Sequence, residues 1–179
     1  MRTGQTEFER MLAQIDAEFD AQEFESEYES ESEFPAQCKP QLILDRFELG
    51  DYRLRPNHYE PLLTFLTGVR DNPIPPNAGF FVQGHADAQG NVNMNAGLGF
   101  ARAMEVQRFI RAIAQKPSFA KLRALPITIG SSGKSSPISS NPAANRRVEV
   151  GLCVDVKTTG SRATRVAVPF RRQAQRLKA

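Results

Sequence analysis

One carboxylate and three guanidinium groups hold most of the chemistry this sequence offers. Asp87 follows Gly84-His85-Ala86, just past what reads as the end of a strand, Gly79–His85. Arg102 comes fifteen residues later, and Asn95 precedes Arg102 by seven. Two helical turns therefore put Asn95 and Arg102 on one helix face. Arg146 and Arg147 stand at the start of the last apolar strand. A guanidinium suits a carboxylate, which it grips with two parallel hydrogen bonds, and an aspartate suits an ammonium. The set fits a zwitterionic amino-acid centre, each charge-assisted hydrogen bond contributing about 1.5–3 kcal/mol when shielded.

Catalysis is not expected. The two histidines, His58 and His85, fall on different elements, and His85 reads as a structural strand-end residue. No nucleophile–base pair and no metal-ligand cluster emerges, so neither a metal nor a cofactor is expected. Gly130-Ser-Ser-Gly-Lys134-Ser135 lacks the full spacing of a phosphate loop, and Pro137 opposes the helix such a loop needs. Arg147 and Glu149 read as partners in a strand salt bridge.

The elements around these residues alternate. Leu42–Leu49 reads as a first strand. Pro56 opens a helix whose apolar stripe is Tyr59, Leu62, Leu63, Leu66 and Val69. After the Gly79–His85 strand, the polar loop Ala86–Asn93 leads into a helix over about Asn95–Gln115. Its stripe is Gly99, Ala103, Val106, Ile110 and Ile113. Pro126–Ile129 and Val148–Val156 read as strands, separated by a Ser-, Gly- and Pro-rich loop over Gly130–Ala144. Val148 to Val156 alternates as a sheet covered on one side would. The order predicts an α/β (α+β) two-layer sandwich, βαβαββ, with two helices on one face of a mixed sheet.

The net charge of +3 hides an asymmetry. Residues 1–37 hold eleven acidic and two basic residues, whereas the other 142 hold nine acidic and twenty-one basic. The predicted organisation is an acidic N-terminal arm over 1–37, a folded domain over 38–156 and a basic tail over 157–179. In the arm, Phe8, Met11, Leu12, Ile15 and Phe19 have helical period, and Glu alternates from 23 to 33, which reads as mostly disordered. The basic body has candidate partners in nucleic acid, anionic lipid, an anionic wall polymer and the arm itself. No apolar run approaches the roughly 20 residues of a membrane span. The start lacks the pattern of a secretory signal, which predicts a trimmed chain, a cytoplasmic product or a non-standard export route. Cys38 and Cys153 lack metal-ligand spacing; a disulfide and two free thiols both remain open.

Three motifs together resemble the OmpA-like domain family: Gly84-His85-Ala86-Asp87, Asn95-Ala-Gly-Leu98-Gly99-Phe-Ala-Arg102-Ala103 and Asn145-Arg146-Arg147-Val148-Glu149. The resemblance covers about Leu42 to Val156. It implies non-covalent binding of the peptidoglycan peptide stem, usually at meso-diaminopimelate, in the bacterial cell envelope. Asp87 would then hold the amine and Arg102 the carboxylate. Backbone groups around Asp87–Ala88 and the Asn95 region would add contacts, and Arg146 matches a further ligand contact. This chain departs from the family at Ala86, where Thr is usual, at Gly99, where Ser is usual, and over Phe47-Glu-Leu-Gly-Asp51. Two other functions stay open. One is an adaptor in an envelope or phage-tail-like injection assembly, binding a protein through residues 1–34 with weak or no wall binding. The other, nucleic-acid binding by the basic tail, has only Phe170 to stack on bases.

Overall fold

The computed structural model describes residues 38–154. The regions read as the acidic arm and the basic tail, with the end of the last strand, lie outside the described residues. The elements are β1 (Leu42–Leu44), α1 (Pro56–Asp71), β2 (Ala78–His85), α2 (Val92–Gln115), a 3-10 helix (Pro117–Leu122), β3 (Ile127–Gly133), a short α3 (Pro142–Asn145) and β4 (Val148–Val154).

The strands form one mixed sheet in the order β1-β4-β2-β3. β2 runs parallel to β3, and β4 runs antiparallel to both β1 and β2. Val82 pairs with Val150 and Gly84 with Val148, so these residues share a face. Against that face pack Leu62, Leu66 and Val69 of α1 and Ala103, Val106, Ile110 and Ile113 of α2, all in one core. The predicted two-layer α/β sandwich is the fold observed.

Boundaries differ from the sequence pattern for local reasons. β1 is three residues long because Arg46 takes a left-handed φ of 61° and turns the chain away. β3 runs on through Gly133, into what reads as loop, because a bulge between Gly84 and His85 lets β2 keep pairing with it. α2 starts three residues early, at Val92, because the Asn91 side chain caps it by accepting from Met94 N at 2.8 Å. The second face of the sheet is covered too. Phe81, Cys38 and Cys153 form a small apolar cluster there. Gln83, His85 and Arg147 are buried near it. Cys38 and Cys153 are joined in a disulfide, which resolves the question the sequence left open.

Among the described residues, no helix is long and apolar enough to cross a membrane.

Candidate functional site

The end of β2 fixes Asp87 through its backbone. His85 N donates to Arg147 O at 2.9 Å, and Ala86 N donates to Gly133 O at 2.7 Å. The chain then turns, with Asp87 Oδ1 accepting from Gln89 N at 3.1 Å, a local bond typical of aspartate in turns. Asn95 reaches back from α2 and donates from Nδ2 to Asp87 O at 3.3 Å and to Gln89 O at 2.8 Å. Lys134 Nζ donates to Gly90 O at 3.1 Å on the far side of the loop. Asn95 therefore shapes the loop that presents Asp87, while Ala88 is exposed at its tip.

Arg146 closes on Asp87. Its Nη1 donates to Asp87 Oδ2 at 2.8 Å, and its Nε donates to Phe47 O at 2.6 Å. Phe47 N in turn donates to Arg146 O at 3.2 Å, so the β1–α1 connection and the start of β4 hold each other reciprocally. The Arg146 side chain is 17% exposed and that of Asp87 only 4%.

Arg102 is fully buried. Its Nε donates to Asp51 O at 2.9 Å, its Nη1 to His85 O at 2.8 Å and its Nη2 to Glu48 O at 3.0 Å. Three of the five guanidinium N–H groups are thus taken by backbone carbonyls. The guanidinium also lies over the Phe47 ring, 5.3 Å from its centroid. Burial, with Arg146 nearby, pushes its pKa down to about 10 against the pull of Asp87 and Asp51, so it stays a cation at neutral pH. Two guanidinium groups thus share the surroundings of buried Asp87, with the half-buried Asp51 carboxylate also acting on Arg102.

The structure therefore brings Asp87, Arg146, Asn95 and Arg102 together at one end of the sheet. The structure adds two supports, one of them the stretch Phe47–Asp51 that in sequence stands out only as a departure from the family pattern. The loop Phe47–Asp51 supplies carbonyls to both arginines. His58 stacks on Phe47 with ring centroids 4.4 Å apart. Its Nδ1 accepts from Arg55 N at 3.1 Å and its Nε2 donates to Asp45 O at 2.7 Å, so one side chain starts α1 and anchors the end of β1. Carbonyls carry no sequence signal; the Phe47 and His58 rings do, but only the fold shows that they meet.

The second face of the sheet carries a separate polar group. Arg147 Nε and Nη2 approach Glu149 Oε1 at 2.7 and 2.6 Å, the salt bridge the sequence suggested. His85 Nε2 lies 3.6 Å from the same oxygen. Burial raises the Glu149 pKa, but bonds and charge from His85 and Arg147 outweigh it and hold the carboxyl below its ordinary 4.5. The Gly130–Ser135 stretch ends a strand and a turn, Ser135 N donating to Ser132 O, and opens no helix. Among the described residues, no group of three or more His, Cys, Asp or Glu side chains is placed to hold a metal ion.

No protein-family model matches the chain, and no curated protein matches it. Solved structures do. The periplasmic domain of Helicobacter pylori MotB matches with a TM-score of 0.51 at 19% identity, over 75% of this chain and 90% of that one. The peptidoglycan-associated lipoprotein of Burkholderia pseudomallei matches with a TM-score of 0.49 at 20% identity, over 61% and 88% of the two chains. The cell wall anchor of the T6SS from Pseudomonas aeruginosa matches with a TM-score of 0.48 at 18% identity, over 82% and 96%. At 19% identity the MotB match speaks for architecture alone. Together with the observed strand order and the helices sharing one face, it shows that this chain has the OmpA-like fold.

Proposed function

We propose that this protein binds the peptide stem of peptidoglycan without cleaving it, and so anchors a protein or assembly to the bacterial cell wall. One observation carries the reading: a buried carboxylate, Asp87, pairs with Arg146, and both lie within electrostatic reach of Arg102. That arrangement suits a ligand with one ammonium and at least one carboxylate, and diaminopimelate is such a ligand. Asp87 takes the ammonium. Arg102 and Arg146 face the carboxylate, and the Asp87–Ala88 backbone, shaped by Asn95, adds hydrogen bonds. The reading places the protein in the cell envelope on the wall side; the MotB neighbour is likewise a periplasmic domain.

The test is co-sedimentation with purified sacculi. Wild type pellets with them, while Asp87→Ala and Arg102→Ala variants that remain folded stay in solution. If both folded variants pellet like wild type, the assignment fails.

A second reading has its own support, because Arg102 is fully buried and bonded to three carbonyls. A guanidinium so occupied fits an adaptor that reuses the fold with weak wall binding and engages a protein partner through residues 1–34. Removal of those residues would then abolish assembly and leave sedimentation with sacculi unchanged.

A further inference from the structure

We infer that Arg146 is the gate of this site: a guanidinium that occupies Asp87 until a ligand ammonium displaces it, and that then turns to the ligand's carboxylate. The carboxylate half of this inference rests on the binding reading above; the occupancy of Asp87 does not. The Arg146 Nη1 to Asp87 Oδ2 contact of 2.8 Å already fills the position an ammonium would take.

The three partners of the site differ in their freedom to move. Arg102 is tied to Asp51, His85 and Glu48. Asn95 is tied to the backbone of Asp87 and Gln89. Arg146 caps the end of the short α3 with φ −81° and ψ 83°, ahead of the first strand residue of β4. Its side chain leaves by breaking two hydrogen bonds, to Phe47 O and to Asp87, with no loss of sheet pairing. It is also the more exposed partner of the ion pair, at 17% against 4% for Asp87.

The exchange makes electrostatic sense. A buried carboxylate left without a cation is costly, and an incoming ammonium keeps one on Asp87 throughout. The freed guanidinium would stand near Arg102 unless an anion separated them. A ligand with an amine alone strands Arg146 in that position. A ligand with a carboxylate alone leaves Arg146 on Asp87. The gate therefore selects a ligand with both groups close together.

The probes are meso-diaminopimelate, cadaverine, which keeps amines only, and pimelate, which keeps carboxylates only, each titrated by calorimetry against the full chain. Wild type is expected to bind both single-function probes at least about tenfold more weakly than meso-diaminopimelate. Arg146→Gln empties Asp87, so cadaverine is expected to bind at least about tenfold more tightly than to wild type. Lys39→Gln removes one exposed positive charge that has no part in the site and is expected to change cadaverine binding by less than about twofold. Cadaverine binding unchanged in Arg146→Gln overturns the gate, and so does an equal gain in Lys39→Gln. If Arg146→Gln does not fold, Arg146→Met removes the charge and keeps an unbranched stem; an absent cadaverine gain there also overturns it. Failure of the wall reading looks different: wild type then ignores sacculi and meso-diaminopimelate, while the cadaverine gain in the variant persists.

Discussion

The carbonyl of His85 accepts a hydrogen bond from Arg102 Nη1 at 2.8 Å, so this buried guanidinium fastens the strand end that carries Asp87. Loss of Arg102 is therefore expected to show in stability before any binding is measured. Arg102→Ala leaves the buried His85 carbonyl without its partner and releases the carbonyls of half-buried Asp51 and exposed Glu48. A buried acceptor left unpaired costs about 1–3 kcal/mol, and a loss of that order is expected. Chemical unfolding monitored by circular dichroism reads this directly. A variant as stable as wild type would mean that the three carbonyls do not depend on Arg102.

Gly84 and Gly99 let α2 lie directly on the sheet. A Cβ on Gly84 would stand 1.7 Å from Gly99 O, and a Cβ on Gly99 would stand 2.3 Å from Ser131 Oγ. Ser131 Oγ donates to Ala96 O at 2.8 Å, so a serine from the sheet fills the space a serine at 99 would need. Gly99→Ser is expected to destabilise by about 1–3 kcal/mol through overpacking. Adding Ser131→Gly should recover only part of that, because the Cβ at 99 still meets Gly84 O at 2.9 Å. Thermal melts of the single and double variants check this, and full recovery would show that the Gly84 contact yields freely.

Sequence period was enough to find both long helices and the pairing strands, because their buried stripes follow the helical and strand repeats. Leu62, Leu66, Val106 and Ile110 illustrate the point. The Asp87 loop was equally legible, since a polar run after a strand end is a local pattern. What stayed hidden was non-local. Arg102 reads as a helix-face cation, yet its partners include carbonyls of the Asp51 and Glu48 backbone, 51 and 54 residues away. The departures at Phe47–Asp51 and Gly99 look like losses in one dimension. In three dimensions that loop holds both arginines, and Gly99 answers Ser131.

His58 gives stability a pH dependence. Its Nδ1 accepts from Arg55 N, so the neutral ring with hydrogen on Nε2 is the form that fits, donating to Asp45 O at 2.7 Å. Burial lowers its pKa below the ordinary 6.5, and Arg55 adds to this against the pull of Asp45. The unfolded chain then takes up a proton that the folded state refuses. The contribution of His58 is fully present above about pH 6.5 and is lost as pH falls from there toward the folded value. The slope from this one group cannot exceed about 1.4 kcal/mol per pH unit. Denaturant unfolding of wild type and His58→Gln between about pH 5 and 8 isolates it, because other titrating groups cancel in the difference. Parallel profiles for the two proteins would exclude His58 as the source.

The Cys38–Cys153 bond spans a sequence separation of 115 residues and joins the start of the described chain to β4 at a Cα–Cα distance of 5.4 Å. A cross-link over so long a loop restricts the unfolded chain strongly, by about 4–5 kcal/mol in the chain-entropy account. Both cysteines are buried against Phe81, so reduction also loosens this small apolar cluster on the second face of the sheet. Reduced wild type and Cys38→Ala should melt at similar temperatures, both well below oxidised wild type. Alkylation of the unfolded, unreduced protein followed by mass spectrometry should find neither thiol free. Two alkylated cysteines in protein recovered from an oxidising compartment would show that the bond does not form. Disulfides persist in such compartments and are rare where thiols are kept reduced. An intact bond in protein recovered from cells would therefore agree with folding in an oxidising compartment.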